Sequence, residues 1–275
     1  MKKLKFHYAE YPAAEYEIWL AALPYAEAEK QPLTLPAWAA REGADIVYPL
    51  AMYNMTRGRD RWGEKYGRTL QYVRAKGADA GYGGGGDILA LGPPHAHLTG
   101  KNSAGGYENA CAGYKTAVVR GAIAPGLDRT ARRSRNVNGL TGTGEYFHLV
   151  TEKDVTEYEC AEYLKARGAA LALMQDGGGT TAKYENGRVA FAPEGGRPTC
   201  SVVCIRRRKG EEEPMREYEN GAYRTDVFET SACRKKTGSL DPFERCALLY
   251  EERGCAVVMY YVTGAGERKV GFVKL

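Results

Sequence analysis

No run of apolar residues in this sequence comes close to the roughly 18 that a membrane-spanning helix needs, so no membrane partner is expected. A secretory leader is not expected either. The opening MKKLKFHYAEYPAAEYEIWLAAL begins with lysines, but Glu10, Glu15 and Glu17 interrupt it. A leader requires a clean apolar run of about 7–15 residues. As given, the chain is expected to be made in the cytosol, with release to the cell envelope left open. Seven cysteines are present without a C-x-x-C pair, and no Cys or His pair follows Cys200 and Cys204 at zinc-site spacing. Reduced, mostly buried thiols are therefore expected. Strong charge is missing as well. Residues 1–205 hold 25 Lys and Arg against 22 Asp and Glu, and residues 206–275 hold 14 against 12. So thin an excess excludes a binder of duplex nucleic acid.

What is present is a chain of 275 residues, 44% apolar and 27% charged, in the range of globular domains. A composition break falls at RRRKGEEEPMREYENG. There Arg206, Arg207, Arg208 and Lys209 meet Glu211, Glu212 and Glu213, the pattern of a solvated linker rather than a phosphate patch. The expected organisation is a large domain over 1–205, a linker over 206–216 and a small β domain over 217–275. In the large domain, 44–55 reads as a buried strand ending in Asn54, and 114–121 and 144–152 read as strands. DVTEYECAEYLKARG reads as a helix: Asp154 and Glu157 fit a capping box, Val155, Tyr158, Ala161 and Leu164 recur at helical spacing, and Gly168 suits the C-terminal cap. The apolar run 169–175 then reads as a buried strand. In the last domain, 255–262 and 269–275 read as strands joined by a hairpin at 264–267. That rhythm is expected of a small β-barrel.

The strand over 169–175 delivers Asp176 into Gly177, Gly178, Gly179, Thr180 and Thr181. Glycines let a ligand approach main-chain N–H groups, and successive N–H groups form a concave nest for an anion. The two threonine hydroxyls could add donors. Asp176 does not suit an anion beside it, so its expected role is acid/base chemistry, a grip on a sugar hydroxyl, or metal binding. The other reading is a tight turn with a capping Asp. His95 and His97 share a face if extended, but a solvated loop is the plainer reading. GYGGGGD lacks a following helix and a P-loop lysine, so a dinucleotide or nucleoside triphosphate site is rejected.

YPLAMYNM with Asn54, RNVNGLTGTGEYFHLVT with Arg135 and Gly139, and LALMQDGGGTT with Asp176 to Thr181 stand in the order and rough spacing of three motifs. In these the chain resembles the phosphodiester glycosidase family over about residues 40–195. It departs from the family where N-G-G-F-F becomes NMTRG, where T-A after the Arg becomes NV, and where threonines replace both serines. The resemblance implies an α+β fold with a mixed sheet, and hydrolysis of a bond between a sugar anomeric carbon and a phosphate. It implies Asp176, Arg135 and Asn54 as catalytic residues. Arg135 would pair with phosphate oxygens through its fork, and Asn54 would fix a hydroxyl or the water. Gly177, Gly178, Gly179, Thr180, Thr181, Tyr53 and Arg57 would line the substrate site. Glycoside hydrolysis usually uses two carboxylates, and Asp87, Glu145 and Asp154 are the candidates for the second. No cofactor is implied, and a divalent metal stays open.

GSLDPFERCALLYEERGCAVVMYYVTGAGERKVGFV is similar to bacterial SH3 domains, which implies a small all-β SH3-like barrel with cell-wall peptide as partner. Three readings of function stand at this point. One is a hydrolase of an envelope sugar–phosphate link in a bacterial or phage context. The second is an enzyme acting on a cyclic nucleotide or an ADP-ribose-like signal. The third is a protein that sequesters such a ligand without turnover.

Overall fold

The computed structural model describes residues 6–28, 31–55, 67–81, 83, 86–92, 94–208, 216–220, 222, 224–229, 233–240, 245–252, 254–261 and 268–274. The chain divides into two compact units, Met1–Arg208 and Lys209–Leu275. The described residues are mostly β, with 47% strand and 14% helix. The α+β expectation therefore gives way to a fold in which short helices cover sheets.

Among the described residues the first unit holds three sheets. One runs in the order Phe6–Tyr11, Tyr146–Thr151, Asn136–Thr141, Ala169–Met174, Lys115–Val119, Ala122–Ile123. The second runs Arg188–Phe191, Lys183–Glu185, Ile46–Pro49, Ser201–Arg207, Tyr16–Ala22. The third runs Ala78–Asp79, Val73–Ala75, Asn109–Ala112, Asp87–Leu91, Ala96–Thr99. Every ladder among the described strands is antiparallel, so the mixed sheet that the family resemblance implied is not formed. The helix Glu157–Ala166 returns the chain beside an antiparallel neighbour: Ala169–Met174 pairs with Asn136–Thr141 on one side and Lys115–Val119 on the other.

The period-2 alternation of each strand distributes its side chains between two cores. Leu140, Tyr146, Leu171 and Leu173 of the first sheet meet Leu20, Tyr48, Val203 and Ile205 of the second and Leu89 and Cys111 of the third. On the opposite face of the first sheet, Val137, Phe147, Leu149 and Ala172 pack against Cys160, Ala161 and Leu164 of the helix Glu157–Ala166. The outer face of the second sheet packs on Leu35, Trp38 and Ala39 of the helix Leu35–Glu42. The site loop thus leaves a strand covered on both faces.

Several local expectations change. Of the strand expected over 44–55, only Ile46–Pro49 is strand. The capping box is Thr156 with Glu159, not Asp154 with Glu157: the Thr156 hydroxyl accepts from the Glu159 N–H at 3.1 Å, and Glu159 accepts from the Thr156 N–H at 2.8 Å. Gly168, at φ 78°, follows the cap residue Arg167 as the C-terminal glycine should. Arg206 and Arg207, expected in the linker, complete the strand Ser201–Arg207.

The second unit is a six-stranded antiparallel sheet in the order Arg216–Glu219, Arg245–Glu252, Cys255–Tyr261, Arg268–Lys274, Thr225–Phe228, Lys236–Leu240. Val227, Leu240, Ala256, Val258 and Val273 form its core. Among the described residues its first and last strands are edges, so no closed barrel is formed. The expected hairpin at 264–267 lies outside the described residues, but the strands it joins pair from Tyr261↔Arg268 onward.

Candidate functional site

The strand Ala169–Met174 ends beside Asn136, and the chain then turns through Asp176 to Thr181. The Asp176 N–H donates to the Leu50 carbonyl at 2.9 Å. Its carboxylate Oδ2 accepts the Thr180 hydroxyl at 2.8 Å. Burial raises the Asp176 pKa to about 6, against the Thr180 bond, the Arg197 charge and the Gly177 N–H, which pull it down. A carboxyl held there exchanges its proton close to neutral pH.

The three glycines do not leave an open anion nest. The Gly178 N–H donates to the Ser134 carbonyl at 2.9 Å, and the Thr181 N–H to the Gly178 carbonyl at 2.9 Å. The Thr180 N–H turns to the Gly177 carbonyl at 3.4 Å. Gly178 takes φ 61°, a left-handed conformation that glycine adopts freely. At Gly179 the reason for glycine is contact: a Cβ there would stand 2.7 Å from Arg197 Nε. Thr181 is fully buried, with its hydroxyl oxygen unpartnered. The glycines therefore shape a tight loop beneath an arginine, and positive charge at the site comes from side chains.

Asp176, Gly177 and Gly178 line a cleft of about 470 Å³ with Tyr53, Tyr114, Asp128, Arg133, Arg135, Glu157 and Arg197. An adjoining recess of about 600 Å³ is lined by the same glycine loop, Arg132, Arg133, Lys153, Asp154, Glu194 and Arg197. Arg133 and Arg197 are exposed and border both. A larger recess of about 660 Å³, lined by Tyr16, Trp19, Glu42, His95 and Arg206, holds none of the expected site residues.

Arg135 borders the cleft, but its fork is turned to the protein. Nε donates to the Val155 carbonyl at 3.0 Å, Nη2 to the Ala131 carbonyl at 2.5 Å, and Nη1 to the Tyr114 hydroxyl at 3.3 Å. Glu157 lies 3.6 Å from Nη1. Glu157 also accepts from Lys115 at 2.7 Å, the Asp128 N–H at 2.9 Å and Tyr114 at 3.0 Å. Burial alone would raise the Glu157 pKa; these donors outweigh it and hold the group below its ordinary value. Asp128 is held at about 2 by the Ala131 and Thr130 N–H groups and the Thr130 hydroxyl. Asp176 is thus the cleft carboxyl poised to trade protons, while Asp128 and Glu157 stay ionised.

The remaining expected residues separate. Tyr53 lines the cleft, its hydroxyl tied to the Pro198 carbonyl at 2.9 Å. Asn54 is buried, its backbone bonded to Arg68 and Gly67, and it does not line the cleft. Arg57 lies outside the described residues. Of the second-carboxylate candidates, Asp87 bonds His97 and Thr116 at 2.7 Å each, Glu145 accepts the Ala13 N–H, and Asp154 borders the adjoining recess. Among the described residues no group of three or more His, Cys, Asp or Glu is gathered for a metal, and no helix is long and apolar enough to cross a membrane.

Arg133, Arg197 and Asp128 were not singled out by motif, and Glu157 was singled out only as a helix-capping partner. Arg133 sits unmarked in an arginine run, and Arg197 follows a loop with no motif of its own. The fold brings both to Asp176.

Comparison with solved structures places the fold among known ones. The catalytic domain of zebrafish N-acetylglucosamine-1-phosphodiester alpha-N-acetylglucosaminidase, described as auto-inhibited by its pro-peptide, aligns at TM-score 0.54 and 12% identity, over 74% of this chain and 83% of that one. A hypothetical protein from Synechocystis aligns at TM-score 0.54 and 10% identity, over 74% of this chain and 59% of that one. At such identities the likeness is one of fold. No curated protein matches the sequence. The family model described as phosphodiester glycosidase matches residues 71–206, the segment that carries Arg133, Arg135 and the Asp176 loop.

Proposed function

We propose that the Asp176 cleft hydrolyses the bond between a sugar anomeric carbon and a phosphodiester oxygen. The observation that carries this reading is the Asp176 carboxyl, poised at about 6 on the wall of a cleft bordered by the exposed Arg133 and Arg197. The arginines take the phosphate oxygens through charge-assisted hydrogen bonds. The Tyr53 ring offers an apolar face to the sugar. Asp176, ionised, accepts a proton from a water whose oxygen bonds to the anomeric carbon. The carbon–oxygen bond to phosphate breaks, and its electron pair leaves on the phosphate oxygen. That oxygen needs little protonation, so one carboxyl near neutrality can serve. Arg135 and Glu157 hold the cleft wall in place. The substrate on this reading is an envelope-type sugar-1-phosphodiester.

The test is mass-spectrometric turnover. The protein and its Asp176→Asn form are incubated with sugar-1-phosphodiesters, nucleotide sugars and cyclic nucleotides. Cleavage by the native protein alone supports the reading and identifies the substrate class, including a nucleotide-type signal. Ligand recovered bound and intact, with no product, would replace hydrolysis by sequestration.

A further inference from the structure

Behind the Asp176 loop runs a chain of buried polar groups that the chemistry above does not touch. Asn136 opens the strand Asn136–Thr141 and is 1% exposed. Its Nδ2 donates twice, to the Pro49 carbonyl at 2.8 Å and the Asp176 carbonyl at 3.0 Å. With the nitrogen so placed, Oδ1 can only accept, and His148 Nε2 stands 2.5 Å from it. Full burial, helped by the Lys183 charge, presses the His148 pKa well below the ordinary value, so the ring is neutral. Its single proton then sits on Nε2, and Nδ1 accepts from the Tyr146 hydroxyl at 2.8 Å. Tyr48 stacks on the ring at 3.7 Å and fixes its plane. Every member of the chain has one consistent donor or acceptor role.

The two carbonyls that Asn136 holds belong to different sheets. Pro49 ends the strand Ile46–Pro49, and Asp176 follows Ala169–Met174. The Asp176 N–H is bonded to Leu50, so its backbone is tied on both sides. We propose that Asn136, oriented by His148 and Tyr146, is a positioning residue that sets where the Asp176 carboxylate stands in the cleft. The inference rests on the reading of Asp176 as the base.

The test has one arm that needs substrate and two that do not. In the full-length protein, ¹⁵N NMR should show His148 neutral with its proton on Nε2. An Nδ1–H tautomer or an imidazolium at neutral pH overturns the chain of roles. A ¹³C titration of the Asp176 carboxyl should give about 6 in the native protein and a value nearer the ordinary range in Asn136→Ala. An unchanged titration overturns the positioning role. On a substrate found by the turnover panel, Asn136→Ala should lower kcat by about 10²-fold with KM nearly unchanged, the scale of a misplaced catalytic group. His148→Leu should lower it too, and His148→Gln, which keeps a donor toward Asn136, should recover most of the loss. Native kcat in a folded Asn136→Ala protein overturns the proposal. Absence of any turnover by the native protein, with the NMR outcomes as expected, would sink the hydrolase reading and leave the positioning of Asp176 standing.

A separate feature lies in the second unit. The Sγ atoms of Cys233 and Cys255 stand 3.7 Å apart, and both residues are thiols. Cys255 opens the strand Cys255–Tyr261 and is buried, while Cys233, in the chain between Thr225–Phe228 and Lys236–Leu240, is half-buried. We infer that these two form a disulfide when the protein meets a low-molecular-weight disulfide oxidant. One thiolate attacks the oxidant and releases one reagent thiolate, leaving a mixed disulfide; the second thiolate attacks the protein sulfur of that mixed disulfide and displaces the other reagent thiolate. An S–S bond forms between the cysteines, and the reagent leaves as two thiols. Full-length protein treated with glutathione disulfide should yield, on digestion without reduction, a cross-linked Cys233–Cys255 peptide that is absent in Cys233→Ser. Glutathione left on Cys233 as a stable adduct, or no modification of either residue, overturns the assignment.

Discussion

At the scale of single residues, the site separates two kinds of arginine that sequence alone makes look equivalent. Arg135 is 7% exposed and spends its donors on Val155, Ala131 and Tyr114, beside Glu157. Arg197 lies exposed over Gly179. Arg135→Ala is therefore expected to destabilise the fold by about 3 kcal/mol, the scale for breaking a buried pair, measured by urea denaturation. Arg197→Ala should leave stability within about 0.5 kcal/mol and raise KM about 10-fold with little change in kcat, as loss of a ground-state contact does. The opposite pattern would make Arg135 the phosphate ligand. The D-G-G-G-T-T run pointed to Asp176 because its chemistry is local: a carboxyl and a tight turn are written in consecutive residues. The exposed cations of the cleft were not legible, because Arg133 and Arg197 are brought to Asp176 only by segments that lie apart in the chain.

At the scale of elements, the sequence marked the helix Glu157–Ala166 by its apolar spacing and its terminal glycine, and placed its start two residues early. Asp154-x-x-Glu157 and Thr156-x-x-Glu159 both satisfy the capping pattern, so spacing cannot choose between them. The structure uses Thr156 because Glu157 is claimed by Lys115, Tyr114 and the Asp128 N–H. Thr156→Ala should cost about 1 kcal/mol, read in thermal unfolding, whereas Asp154→Ala should cost clearly less. Equal losses at the two positions would contradict this assignment. The strand Ile46–Pro49 is shorter than its apolar run, because Leu50 and Ala51 pack in the core and bond outside the ladder, to Ser201. Apolar composition reports burial, and pairing has to be supplied by a neighbour.

At the scale of the whole molecule, the composition break at 206–216 and the strand-like runs after it were visible in sequence, and the chain divides into the units Met1–Arg208 and Lys209–Leu275. The antiparallel sheets were not visible there, because strand direction depends on which strands meet. Buried titratable groups make stability a global readout of the site. Asp176 has a folded-state pKa of about 6, above its unfolded value of roughly 3.9. Its contribution is therefore fully present below the unfolded value and is lost as pH rises through about 6. His148 acts the other way: held neutral by burial, it costs stability as pH falls below the unfolded histidine value of about 6.5. The difference between native protein and Asp176→Asn isolates the first effect. At pH 8 the Asn variant should be more stable by on the order of 2 kcal/mol, with the gain vanishing below about pH 4. A pH-independent difference would mean that Asp176 is not strained by burial.

The measurement that tests the central claim most directly is the pH dependence of kcat/KM on a cleaved sugar-1-phosphodiester, run in parallel on Asp176→Asn. Asp176 as general base predicts a native rate that falls as pH drops through about 6, and a variant that binds substrate without turning it over. A flat native profile, or an Asp176→Asn protein that keeps its rate, would contradict that role.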